Sequence, residues 1–164
     1  MEFNSCFDII GPIMVGPSSS HTAGVVSIGK FIYDLFEEHP DEAHILFCDS
    51  FAETYQGHGT DKAVIGGLMG MGTDDSRIKN AFENAYKAGM KVIINVTKKC
   101  DYYDHPNTVI ISAKYNYQFV KVGGVSLGGG VSKIFMINEK MVDIPVSGDN
   151  NPLKRKDLIM YDRN

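Results

Sequence analysis

Ser18, Ser19, Ser20 and His21, with Thr22 directly after them, close a segment running from Gly11 to Gly24. Hydroxyls in a run donate hydrogen bonds, and glycines let the main chain approach a ligand closely. The free N–H groups of a helix start add partial positive charge. Such a segment captures an anion. If one serine is instead the cap of the following helix, that accounts for one hydroxyl but not for three followed by a histidine. A second candidate is His58, set between Gly57 and Gly59 and just ahead of Asp61. A histidine so placed is poorly suited to core packing and well suited to reach into a cleft, where it can take or give a proton near neutrality. The alternative is a loop histidine bonded to backbone carbonyls. Asp61 either orients the ring or caps the next helix. The third candidate is His105, followed by Pro106, Asn107 and Thr108. Proline fixes the backbone beside the histidine, which suits a positioned side chain, and a plain turn explains the same residues.

These residues need elements to hold them. Phe7 to Val15 reads as a strand or extended segment closed by Gly16-Pro17. Val25, Val26, Ile28, Ile32, Leu35 and Phe36 keep helical spacing, so a helix is expected from about Ser20 to Glu38, stopped by His39-Pro40. A buried strand is expected over Ala43 to Cys48 and a helix over Asp61 to Met69, weakened by Gly66-Gly67. Asp74 to Lys87 reads as a helix, with Ile78, Phe82 and Tyr86 repeating every fourth residue and Gly89 at its end. Val92 to Val96 reads as a strand.

Later segments are rich in β-branched and aromatic residues: Asn107 to Lys114, Tyr117 to Val122, Val131 to Ile137, and Met141 to Ile144 after a turn at Asn138 to Lys140. The Gly-rich stretch Gly123 to Gly130 lacks the context of a nucleotide-binding fingerprint and reads as a flexible turn. Helices early and strands late predict an α+β fold, two layers with helices packed on a mainly antiparallel sheet. One domain is expected over residues 1–149, and 150–164 reads as a polar, basic and mobile tail. His39 and His44 read as structural.

A net charge of −4 over 164 residues argues against a nucleic-acid partner, which is bound by clustered Lys and Arg. No apolar run reaches membrane-spanning length, and Met1-Glu2-Phe3-Asn4 begins neither a basic nor an apolar leader, so the cytoplasm is expected. Cys6, Cys48 and Cys100 are odd in number and far apart. They form neither a disulfide framework nor the close spacing that seeds a zinc or iron–sulfur site, and read as free thiols. No Walker motif, nucleophile elbow or metalloprotease signature is present.

Gly16-Pro-Ser-Ser-Ser-His-Thr-Ala-Gly24, Ser50-Phe-Ala-Glu-Thr-Tyr-Gln-Gly-His-Gly-Thr-Asp61, His105-Pro-Asn-Thr108 and Val125-Ser-Leu-Gly-Gly-Gly130 together resemble the β chain of bacterial iron–sulfur-dependent L-serine dehydratase, from about Phe7 to Ile144 and in the same order. The resemblance implies an L-serine ammonia-lyase of amino-acid catabolism and gluconeogenesis, which eliminates water from L-serine. The resulting aminoacrylate hydrolyses to pyruvate and ammonia. It implies a [4Fe–4S] cluster whose cysteines come from a separate α chain, with no metal ligand in this chain. It also implies a homodimer or heterotetramer, and a fold like the allosteric substrate-binding domain of phosphoglycerate dehydrogenases. The family's separate β chain usually continues into an ACT domain, and residues from Asn150 onward do not read as one.

Within that resemblance, Ser18, Ser19, Ser20, His21 and Thr22 suit the clamp for the substrate carboxylate. His58 suits the base for the α-proton, and His105 a supporting polar contact. An iron with an open coordination position would act on the departing hydroxyl, which no residue here can do. The alternative function is a non-catalytic serine- or anion-binding regulatory module that keeps the cleft.

Overall fold

A computed structural model describes residues 20–147, 151 and 153–161. Cys6, the strand expected over Phe7 to Val15, and Ser18 and Ser19 lie outside the described residues. The first helix, α1 (Ser20–Phe36), falls close to its predicted bounds. Val25, Ile28, Phe31, Ile32, Leu35 and Phe36 are all buried, a wider apolar arc than one core face needs. The width has a cause: α1 lies on the sheet with one side and against a second long helix with another. Each large side chain so buried contributes about 1.5–3 kcal/mol of transfer free energy.

Strand β1 (Glu42–Cys48) follows, then a short helix α2 (Ser50–Thr54) and α3 (Thr60–Leu68). Gly66 and Gly67 do not break α3. A Cβ on Gly67 would overlap the Val26 carbonyl oxygen, and one on Gly29 would sit 2.5 Å from the Val64 carbonyl oxygen. The glycines let the α1 and α3 backbones touch.

The single helix expected over Asp74 to Lys87 is two pieces, a 3₁₀ turn (Ser76–Asn80) and α4 (Ala81–Lys87). Asp75 caps the turn by accepting the Arg77 N–H at 2.9 Å. The change of pitch shifts the inward face. Ile78, Ala81 and Ala85 are buried, while Phe82 is 43% and Tyr86 85% exposed, so the every-fourth-residue pattern does not mark the core.

Five further strands complete the sheet: β2 (Lys91–Thr97), β3 (Thr108–Tyr115), β4 (Gln118–Gly128), β5 (Val131–Ile137) and β6 (Lys140–Val146). Their order is β2-β1-β3-β4-β5-β6, with β1 and β2 parallel and every other pair antiparallel. This is the α+β two-layer fold predicted. Gly123 to Gly130 is not a flexible turn throughout. Gly123 and Gly124 lie inside β4 beside a bulge, and the left-handed turn is confined to Gly128, Gly129 and Gly130. The described tail residues are not a free end either: Arg155–Tyr161 form a 3₁₀ helix that buries Leu158 and whose Met160 carbonyl accepts from Lys140 Nζ at 2.8 Å.

Alternation along the strands separates two cores. Phe47, Val109, Ile111, Val122 and Ile134 face the helices. Cys48, Ile110, Val125 and Phe135 face the other way and are covered by the β2–β3 connection, residues 98–107. That connection is a strap over the second face, and it carries His105.

Candidate functional site

Strand directions bring the motifs together. β1 and β2 end where β3 begins, β4 ends there and β5 begins there, because β1 pairs with β2 in parallel and the rest alternate. The loop after β1 that leads to His58, the strap with His105 and the β4–β5 turn therefore share one end of the sheet. The start of α1 reaches the same end. Ser132 Oγ, at the start of β5, donates to the Gly24 carbonyl at 2.8 Å. Gly24 is packed so closely that a Cβ would sit 2.5 Å from Ser126 Oγ.

Three buried hydroxyls tie this arrangement together, each donating to a backbone carbonyl. Thr22 Oγ1 donates to the His58 carbonyl at 3.3 Å, which couples the serine-rich helix start to the histidine loop. Thr108 Oγ1 donates to the His105 carbonyl at 2.7 Å. Ser132 does the same for Gly24. Buried hydroxyls left unpaired cost about 1–3 kcal/mol, so these contacts hold the backbone in place. Thr22 therefore supports the loop with its hydroxyl, alongside the substrate contact expected of it. Ser126 and Ser132, both fully buried, were not singled out from the sequence. The available signal was a polar residue on the inward face of a strand.

His58 sits at the end of a tight bend, its N–H donating to the Thr54 carbonyl at 3.0 Å. The ring is exposed and makes no hydrogen bond among the described residues. Of its two flanking glycines only Gly59 takes a left-handed conformation (φ 69°), which turns the chain directly into α3. Asp61 lies in the first turn of α3 and its Oδ1 accepts the Lys62 N–H at 2.7 Å. It thus serves the helix start, although the capping position itself belongs to Gly59. Burial pushes the Asp61 carboxyl above the ordinary carboxylate range, against the lowering effect of the Lys62 N–H.

His105 is half-buried, and its Nδ1 accepts the Asn107 N–H at 3.1 Å. In the neutral ring this leaves the proton on Nε2, so His105 presents a donor. The strap is stitched to its surroundings by the Phe51 N–H donating to the Pro106 carbonyl (3.3 Å) and the Ser126 N–H donating to the Asn107 carbonyl (3.0 Å). Ser20 and His21 open α1 at this end of the sheet. His39 and His44 are elsewhere, bonded to the Pro40 carbonyl and to Glu42.

Cys48 and Cys100 are free, buried thiols. Burial, and then the hydrogen bond of the Cys48 thiol to Cys100, push the Cys48 thiol far up, so it stays protonated. Among the described residues no group of three or more His, Cys, Asp or Glu could hold a metal ion. Cys48 and Cys100, the described cysteines, do not by themselves fit an iron–sulfur cluster. No described helix is long and apolar enough to cross a membrane.

The molecule is thus an α+β domain that presents two histidines and a helix start at one end of an open sheet. The family model described as serine dehydratase beta chain matches residues 5–134, and the chain belongs to that family. It is 44% identical over 138 residues to the probable L-serine dehydratase, beta chain, of Bacillus subtilis, covering 84% of this chain and 62% of that one. It is 45% identical over 135 residues to the L-serine dehydratase, beta chain, of Peptoniphilus asaccharolyticus, covering 82% and 60%. The L-serine dehydratase of Haemophilus influenzae is 36% identical over 114 residues, 65% of this chain and 25% of that protein. The chain spans about three fifths of the length of the Bacillus and Peptoniphilus β chains.

Proposed function

We propose that this chain is the β part of a cytoplasmic L-serine ammonia-lyase that forms pyruvate and ammonia together with a separate α chain. The observation that carries the reading is the Thr22–His58 contact, which joins the helix-start segment suited to a carboxylate to the loop of His58, an exposed histidine at that end of the sheet. We place the [4Fe–4S] cluster on the α chain, since neither described cysteine here is suited to ligation. The working assembly is then a homodimer or a heterotetramer. In the Haemophilus relative the 114 matched residues make up 25% of a longer chain, which fits a part that works with a larger remainder.

The division of labour follows from chemistry. The segment Ser18, Ser19, Ser20, His21 and Thr22 holds the substrate carboxylate at the N-terminus of α1, where free N–H groups favour an anion. His58, exposed and mounted on a fixed bend, takes the α-proton. His105, with its proton on Nε2, donates a hydrogen bond to the substrate rather than accepting a proton from it. Departure of the hydroxyl is left to the partner chain. The aminoacrylate released then hydrolyses to pyruvate and ammonia.

Anaerobic co-expression with a cysteine-bearing α chain, followed by a pyruvate assay, tests this. Pyruvate forms with both chains and with neither alone. His58→Ala lowers kcat by roughly a hundredfold or more with a smaller change in KM, and His105→Ala retains more activity. A dead His105→Ala beside a near-normal His58→Ala would reverse the two roles. No pyruvate from any pairing, with serine binding retained by this chain, would leave the regulatory module as the reading.

A further inference from the structure

The strap that carries His105 crosses the second face of the sheet, and its course is set by aromatic contacts that none of the motifs contains. Tyr103 stacks on Phe135 of β5 with ring centroids 4.3 Å apart and planes 14° from parallel. Phe135 is buried, and its ring lies over Gly123 of β4, where a Cβ would come within 2.5 Å of it. Gly123 therefore supplies the space in which Phe135 lies flat, and Phe135 supplies the platform for Tyr103. Two lysines hold the same stretch from the sheet. Lys121 Nζ donates to the Tyr102 hydroxyl at 2.6 Å and pairs with Glu139 at 2.9 Å, and Lys133 Nζ lies 5.5 Å from the centre of the Tyr103 ring. Two residues beyond Tyr103 the strap reaches His105 and its Asn107 contact.

We infer that Tyr103 is a positioning residue: stacked on Phe135 above Gly123, its ring sets the return of the strap and thereby places His105 at the sheet end. Nothing about the ring is chemically reactive toward substrate. It acts through His105, and its importance to catalysis rests on His105 belonging to the site as proposed above. Offset-stacked rings gain beyond the area they bury, and the stacked ring lies close to the residue it positions. The hydroxyl engages Lys133 of β5, but the stack on Phe135 is made by the ring alone, so phenylalanine should replace it and leucine should not.

The test reads the strap directly in the isolated chain and needs no partner. Hydrogen exchange of the Asn107 amide, which donates to His105 Nδ1, reports whether the histidine is held. Tyr103→Leu should speed that exchange roughly tenfold or more while the Ile111 amide in central β3 exchanges as in the wild type. Tyr103→Phe should leave both unchanged, and Gly123→Ala, which displaces Phe135, should reproduce the leucine effect at Asn107. Unchanged Asn107 exchange in Tyr103→Leu overturns the inference, as does equal acceleration at Ile111, which marks general loosening. In the reconstituted enzyme the leucine variant should lose kcat about tenfold with little change in KM. Faster Asn107 exchange without any loss of kcat would uphold the positioning role and remove His105 from the reaction.

Discussion

At the scale of single residues, the site depends on where hydroxyls and protons sit. Thr22 donates to the His58 carbonyl, so a side chain that looks like one more clamp hydroxyl also supports the loop. Thr22→Val removes the donor while keeping the shape, which should cost about 1 kcal/mol of stability and lower kcat several-fold. Thr22→Ser should restore both, as thermal unfolding and the pyruvate assay would show. Asp61 offers a pH-dependent test. Its carboxyl is raised by burial, so the folded chain holds that proton more tightly than the unfolded chain does. The resulting stability is full below the unfolded value and is lost as pH rises through the folded one. Asp61→Asn should therefore raise Tm at pH 7, and the gain should fade as pH falls below the ordinary Asp value of about 3.9, where the carboxyl becomes neutral in both states. A gain independent of pH would refute the burial argument.

At the scale of elements, α1 and α3 cross at glycines whose absent Cβ atoms would strike carbonyl oxygens of the facing helix. A backbone atom cannot rotate away as a side-chain tip can. Gly29→Ala and Gly67→Ala should each cost about 2–3 kcal/mol, and Gly66→Ala less, since its Cβ would meet side-chain atoms of Ile78 and Met71 rather than backbone. Comparable Tm losses for all three would contradict this. These contacts also explain what could be read from the sequence. The bounds of α1, β1 and β5 follow from local apolar periodicity. The split of the Asp74 to Lys87 segment did not, because the Asp75 cap on Arg77 favours a tighter turn and rotates Phe82 and Tyr86 outward. Gly123 and Gly124 resembled a loop because sequence alone cannot distinguish a glycine that bends the chain from one that makes room for Phe135 and Ile28.

Across the whole molecule, the two cores behave differently toward solvent and reagents. Cys48 and Cys100 lie buried in the smaller core beneath the strap. Alkylation of both in the native chain at about pH 8 should be roughly tenfold or more slower than in the denatured chain, read by mass spectrometry of the labelled peptides. Rapid native labelling would mean that the strap does not cover them. The sequence by itself determined the α+β class, the hydroxyl-rich run leading into α1, the glycines on either side of His58, and the wide spacing of its three cysteines. Each depends on residue type and near spacing, which local backbone preferences and side-chain chemistry decide. Only the tertiary structure decided that the motifs share one sheet end, that Thr22 is tied to the His58 carbonyl, and that His105 Nδ1 accepts the Asn107 N–H. Those facts depend on strand order and on contacts between residues far apart in the chain. Their partners are chosen by packing across the whole sheet, which no short stretch of residues encodes.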